Sequence, residues 1–166
     1  MNWSKLLQLA GVVLVVVTSL VLPREAIAQV NPQRFGTWKL DVAKSKYSPG
    51  PAPKMQTRKE EPSGDGIKVS VEGISGNGSK IAYSYTANYD GKDYAQKGIG
   101  MPNGADMIAL KRVDDRTIEL TLKRKGKVVQ NTRSVLSADG RTLTFTSTGT
   151  NPAGQPTTVV SVWTKQ

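Results

Sequence analysis

The stretch TIELTLKRKGKVVQNTRSVL, Thr117 to Leu136, decides how the rest of the chain is read. Ile118, Leu120 and Leu122 alternate with Thr117, Glu119, Thr121 and Lys123, the period of two expected of a strand with one buried face. Lys125-Gly126 interrupts that run, and a second strand-forming run follows at once. Two such runs around a short Gly-containing link predict an antiparallel hairpin.

Further turn signals stand on either side of this hairpin: SGDG at 63–66, GNG at 76–78, DG at 90–91, NG at 103–104, DD at 114–115, DG at 139–140 and NPAG at 151–154. They recur about every 11 to 14 residues, the spacing of consecutive strands joined by short turns. The segments between them alternate as well. Ile67, Val69 and Val71 share a face, as do Ile81, Tyr83, Tyr85, Ala87 and Tyr89, and then Leu143 and Phe145. No window beyond the apolar leader has a helical period, and Thr, Val and Tyr dominate the runs as strand propensity requires.

The reading is all-β: an up-and-down antiparallel meander with strands at 35–42, 54–61, 66–73, 80–89, 92–98, 106–112, 117–124, 127–136, 142–149 and 156–165. An open meander of this length would expose two sheet edges. Closure removes them, so the expected architecture is a barrel of about eight to ten strands. Ala43 to Pro53, rich in proline and serine, cannot form a regular helix and is expected to be an irregular loop between the first two strands.

Residues 1–28 carry the pattern of a signal peptide: Lys5, an apolar run from Leu6 to Leu22, Pro23, and Ala26-Ile27-Ala28 before Gln29. An uncleaved anchor is the competing reading, because the run approaches the length a bilayer needs. With no cysteine there is no lipid attachment at the cleavage point. Residues 29–166 are then one domain, too short for two cores. Setting aside Lys5, Arg24 and Glu25 leaves 21 of 23 basic and 12 of 13 acidic residues, a net charge of +9. That balance suits anionic surroundings. Export implies a periplasmic or secreted protein whose stability comes from burial and strand pairing, because no disulfide is available.

The chain has no histidine and no cysteine, which removes the commonest general base, metal ligand and thiol nucleophile together. Asp65, Asp90, Asp114, Asp115 and Asp139 fall in turns, where Asp is a turn former. No catalytic residue, metal site or cofactor is expected, and the protein is read as a non-enzyme. GISGNGSK, Gly73 to Lys80, has the residue types of a phosphate loop in the wrong order, and it leads into a strand where a phosphate loop needs a helix. KRKGK, Lys123 to Lys127, is the densest basic run. It reads as a solvated hairpin tip, or as a patch for an anionic membrane surface or polysaccharide. No aromatics interleave with it, so nucleic-acid binding would rest on charge alone. The strand aromatics Trp38, Tyr83, Tyr85, Tyr89 and Trp163 suit either a core or the lining of a ligand pocket.

FGTWKLD, Phe35 to Asp41, carries a Gly-x-Trp at Gly36 and Trp38 that resembles the opening motif of lipocalins. From Tyr89 to Thr148, the DGK-type hairpins and TRSVLSADGRTLTFTSTGT are similar to the later strands of the intracellular fatty-acid-binding proteins. The chain also resembles small exported bacterial lipocalin-like proteins that share W-x-L-D, DGKD and S-x-DG-x-TLT. These resemblances imply a calycin barrel with an internal cavity, closed at one end by Gly36 and Trp38. They further imply an inward Arg133 that meets an acidic head group, while VVSVWTK lacks the Arg-x-Tyr that accompanies it in the fatty-acid binders.

The expected function is an exported, monomeric, non-enzymatic binder of a small apolar, amphipathic or anionic ligand. Arg133, Tyr83, Tyr85 and Trp163 are the candidate ligand-binding residues. The alternative is an envelope-surface protein whose barrel is filled and whose basic face contacts anionic lipid or polysaccharide. An integral outer-membrane barrel is excluded by the missing terminal aromatic and the missing lipid-facing apolar band.

Overall fold

The computed structural model describes residues 30–166, so the expected leader at 1–28 lies outside the described residues. Eleven strands follow in chain order: β1 (Gly36–Ser48), β2 (Met55–Ser63), β3 (Gly66–Ile74), β4 (Lys80–Asn88), β5 (Asp90–Ala95), β6 (Lys97–Ile99), β7 (Met107–Arg112), β8 (Thr117–Arg124), β9 (Lys127–Leu136), β10 (Thr142–Thr150) and β11 (Pro156–Lys165). All pairings are antiparallel, in the sheet order β5-β7-β8-β9-β10-β11-β1-β2-β3-β4-β6. This is the meander that the turn spacing predicts, and β1 against β11 joins its two ends.

The strand expected at 92–98 is two strands. β5 pairs with β7, placing Tyr94 opposite Ile108, whereas β6 pairs with β4, placing Gly98 opposite Tyr83. Between them the Gln96 amide donates to the Asp106 carbonyl at 2.8 Å. One run of chain therefore changes partner midway and stitches together the two free sides of the sheet, leaving a nearly closed barrel. The stitch needs a glycine: Gly98 has φ +123, and a Cβ there would lie 2.1 Å from the Ala82 carbonyl oxygen.

The first strand also departs from expectation, because the expected loop at Ala43 is a bulge inside a strand that runs on to Ser48. Asp41 faces Val162 and Lys46 faces Val160, so residues 42–45 bulge out opposite Ser161. The extra backbone is satisfied locally. The Lys44 amide donates to the Asp41 carboxylate at 3.2 Å, and the Ser45 hydroxyl donates to the Asp41 carbonyl at 2.7 Å while accepting from the Val162 amide at 2.9 Å. Val42, which alternation would put inside with Trp38 and Leu40, is turned out and is 37% exposed.

Inward faces of the strands form one core, with Leu40, Val69, Ile118, Leu136 and Leu143 buried near its closed end. Each such side chain contributes on the order of 1.5–3 kcal/mol by burial. The segment before β1, a single 3-10 turn at Pro32–Arg34, crosses this end. The Asn31 amide donates to the Asp115 carbonyl in the β7–β8 turn at 2.8 Å, and Lys165 Nζ at the end of β11 donates to the Gln33 carbonyl. Trp38 lies beneath with no exposed surface, its Nε1 donating to the Arg34 carbonyl at 2.9 Å. Gly36 has φ +137, and a Cβ there would stand 3.1 Å from Lys165 Cε. The Gly-x-Trp pair thus sits at the sealed end of the barrel.

Candidate ligand cavity

The opposite half is hollow. A cavity of about 550 Å³ runs from the middle of the barrel to a mouth formed by the β1–β2 loop, the segment Gly100–Asn103 and the β10–β11 turn. Its volume lies within the usual range for small-molecule sites. A filled barrel, part of the alternative reading, is therefore not what the structure contains.

The floor is built from β2. Arg58 and Glu60 point inward from alternate positions, although the segment MQTRKEEPS reads as polar on both faces. Glu60 lies 3.0 Å from Arg34 Nε and 2.5 Å from Arg58 Nε, and all three side chains are buried. Arg58 Nη2 donates to the Tyr85 hydroxyl at 2.9 Å, and its guanidinium stands 4.9 Å from the Phe145 ring centroid. Burial works against the Arg58 charge, but the Tyr85, Glu60 and Tyr83 oxygens outweigh it and hold the guanidinium more firmly protonated than usual. With Nε and Nη2 engaged, Nη1 has no protein acceptor among the described residues, and Arg58 is the one charged residue lining the cavity. Two arginines share one carboxylate. The floor therefore carries a net positive charge.

Above it the barrel order divides the wall. Ile81 of β4, Ile108 of β7, and Leu120 and Leu122 of β8 form an apolar arc, broadened by Tyr83 and Tyr85. The next strands round the barrel are polar: Gln130 and Thr132 of β9, the cross-strand partners of Leu122 and Leu120, then Ser147 of β10, and Thr157 and Ser161 of β11. Trp163 Nε1 donates to the Ser161 hydroxyl at 3.0 Å, and the Trp163 ring meets Phe145 edge-on at 6.3 Å. Burial raises the phenol pKa of Tyr83, against the opposing pull of Arg58, and pushes that of Tyr47 up to about 12. The tyrosines are neutral donors and acceptors at any ordinary pH.

Of the residues singled out in the sequence, Tyr83, Tyr85 and Trp163 line this cavity and Gly36 and Trp38 sit at the closed end. Arg133 does not come inside. It projects from the outer face of β9, half exposed, with Nη1 donating to Glu119 at 3.2 Å. Its neighbours Thr132 and Ser134 take the inward positions, so strand parity excludes it. Arg58 supplies the inward arginine instead. Tyr89 lies at the closed end, beside Arg34 and Glu60. Asp90, Asp114 and Asp139 accept from the turn amides of Lys92, Arg116 and Arg141, as turn formers should. Gly73–Lys80 holds the end of β3, the hairpin link at 75–79 and the first residue of β4. The KRKGK run is a hairpin tip: Lys123 pairs with Asp93 at 2.7 Å and Arg124 Nη1 donates to the Asn103 carbonyl at 2.9 Å, so only Lys125 and Lys127 stand fully in solvent.

Arg58, Thr132 and Ser147 were not legible as site residues. One signal pointed to β2: it is the one long strand without an apolar face, so in a closed barrel its inward side has to carry polar residues.

No family model and no curated protein matches the chain. Among solved structures it is similar to the zebrafish ileal bile acid-binding protein complexed with cholic acid, at 15% identity and a TM-score of 0.49, over 81% of this chain and 98% of that one. It is also similar to the siderocalin Ex-FABP, which functions through dual ligand specificities, at 12% identity and a TM-score of 0.34, over 81% and 74% of the two chains. Neither likeness is close enough to assign a ligand.

Proposed function

We propose that the protein is an exported, non-enzymatic carrier that holds a small amphipathic anion in its barrel cavity. The observation that carries this reading is Arg58, the single charged residue among the described residues that line a half-apolar cavity, presented with Nη1 of its guanidinium unpaired. Arginine in a water-poor site binds carboxylate, sulfonate or phosphate by charge-assisted hydrogen bonds. The apolar arc accommodates the remainder of the ligand. Catalysis gains no support, because the lining residues hold no carboxylate, histidine or lysine that could act as a base. Residues 1–28 direct the chain to the periplasm or beyond, and the mature protein begins at Gln29.

Native mass spectrometry on protein recovered from the producing cell tests both parts. The polypeptide mass is expected to correspond to residues 29–166, with a small anionic species bound. In titrations, the folded Arg58→Met variant should bind the anionic probe anilinonaphthalene sulfonate about tenfold or more weakly, with little change for an uncharged apolar dye. Absence of any bound species together with failure of both probes would overturn the reading.

A further inference from the structure

The polar wall contains a relay of hydrogen bonds that starts at the mouth and ends in the cavity. Asn103, in the segment crossing the mouth, has φ 51, a left-handed conformation that Asn tolerates better than most residues. Its side-chain amide spans three contacts: the Val129 carbonyl at 3.3 Å, Gln130 Oε1 at 3.0 Å and Thr157 Oγ1 at 3.1 Å. With its oxygen taken, Gln130 donates through Nε2 to Thr132 Oγ1 at 2.9 Å. Thr132 and Ser147 then share one hydrogen bond at 2.8 Å. Each hydroxyl owns one hydrogen, and their mutual bond uses one of the two. Whichever side chain donates in that bond, one hydroxyl hydrogen is left, and no protein acceptor among the described residues takes it. Both side chains are more than nine-tenths buried and both line the cavity. A buried donor without an acceptor costs free energy that a matching ligand atom recovers, and the bonds behind it polarise the chain in its favour.

We infer that Thr132 and Ser147 form a second polar subsite, which selects ligands carrying a hydrogen-bond acceptor in addition to their anionic group. This inference rests on the carrier reading and narrows it. Phe145, which faces the Arg58 guanidinium, lies two residues from Ser147 on β10, or about 7 Å of strand. The acceptor therefore stands roughly that far along the ligand from its charge. Leu120 and Leu122 of β8 adjoin this wall as the cross-strand partners of Thr132 and Gln130, and Ile108 of β7 lies one strand further round, so hydrocarbon on the ligand must border its polar edge. The ligand class is an anion with a hydroxyl or carbonyl on one edge and hydrocarbon beside it, as distinct from a plain alkyl acid.

A matched pair of probes tests the subsite: naphthoate, and its derivative with a hydroxyl at the far end of the ring system. Calorimetric titration of the full mature protein should find the hydroxy compound bound about fivefold more tightly. The double variant Thr132→Val/Ser147→Ala, confirmed as folded by circular dichroism, should abolish that preference, read as the ratio of the two affinities, whereas either single replacement leaves one free hydroxyl hydrogen and should retain part of it. Persistence of the full preference in the double variant, or equal binding of the two acids to the native protein, would overturn the inference and leave the carrier reading intact. Failure of both acids and of anilinonaphthalene sulfonate to bind would overturn both.

Discussion

The three arginine–glutamate contacts, 2.5 to 3.2 Å long, fall at two sites of different weight, because one site is dry and the other wet. Glu60 holds Arg34 and Arg58 inside the barrel, where a charge that loses its partner cannot be rehydrated. Glu119 and Arg133 are 49% and 51% exposed, and water screens whatever they gain. Glu60→Gln, which leaves two buried guanidinium groups without a counter-charge, is expected to lower the unfolding free energy by about 3–5 kcal/mol. Glu119→Gln should change it by less than about 1 kcal/mol. Urea unfolding of the two variants measures the contrast, and equal effects would mean that the floor of the cavity is wet. The same contrast explains why the inward arginine is not legible in the sequence. Likeness of motif points to Arg133, while Arg58 belongs to a run of charged residues that looks like a solvated strand until the barrel is closed around it.

At the level of elements, alternation and turn chemistry carried most of the fold. The hairpin of β8 and β9 has the bounds read from Thr117–Leu136, because the Lys125-Gly126 link fixes where each strand stops. Two features stayed hidden, since both depend on a distant partner. The bulge at 42–45 exists to keep β1 paired with β11, and the break at Gln96 exists because the two sides of the sheet compete for one strand. The stitch is also the weakest seam, as β6 has only three residues and faces β4 over Ala82–Ser84. Gly98→Ala would drive a methyl group into the Ala82 carbonyl and should separate these strands locally, at a cost of about 2 kcal/mol. Amide hydrogen exchange is expected to accelerate at residues 82–84 and 97–99 while β8, β9 and β10 keep their protection. Uniform acceleration through the barrel, or none, would contradict the view of this seam as a separable closure.

For the molecule as a whole, the missing histidines and cysteines fix the response to pH. With histidine absent, no side chain of this chain has an ordinary pKa between about 5 and 8. The changes lie at the extremes. Backbone amides hold Asp90 and Asp114, and the Ser137 hydroxyl with a backbone amide holds Asp139, below the usual 3.8. Their stabilisation is present above that value and is lost as pH falls through the lower folded pKa. Burial raises Tyr47, Tyr83, Tyr85, Tyr89 and Tyr94 above the usual 10.0, to about 12 for Tyr47, and the chain has no other tyrosine. Here the folded state retains protons that the unfolded chain releases. Stability from these groups is complete below pH 10 and is lost as pH rises through the folded values. The urea midpoint is therefore expected to be flat from about pH 5 to 9 and to fall on both sides. Phenolate absorbance provides an independent check. The native protein should lag the urea-unfolded chain from pH 10 upward and rejoin it only where the barrel opens, whereas superimposable curves would mean that the cavity tyrosines are already solvated in the native state.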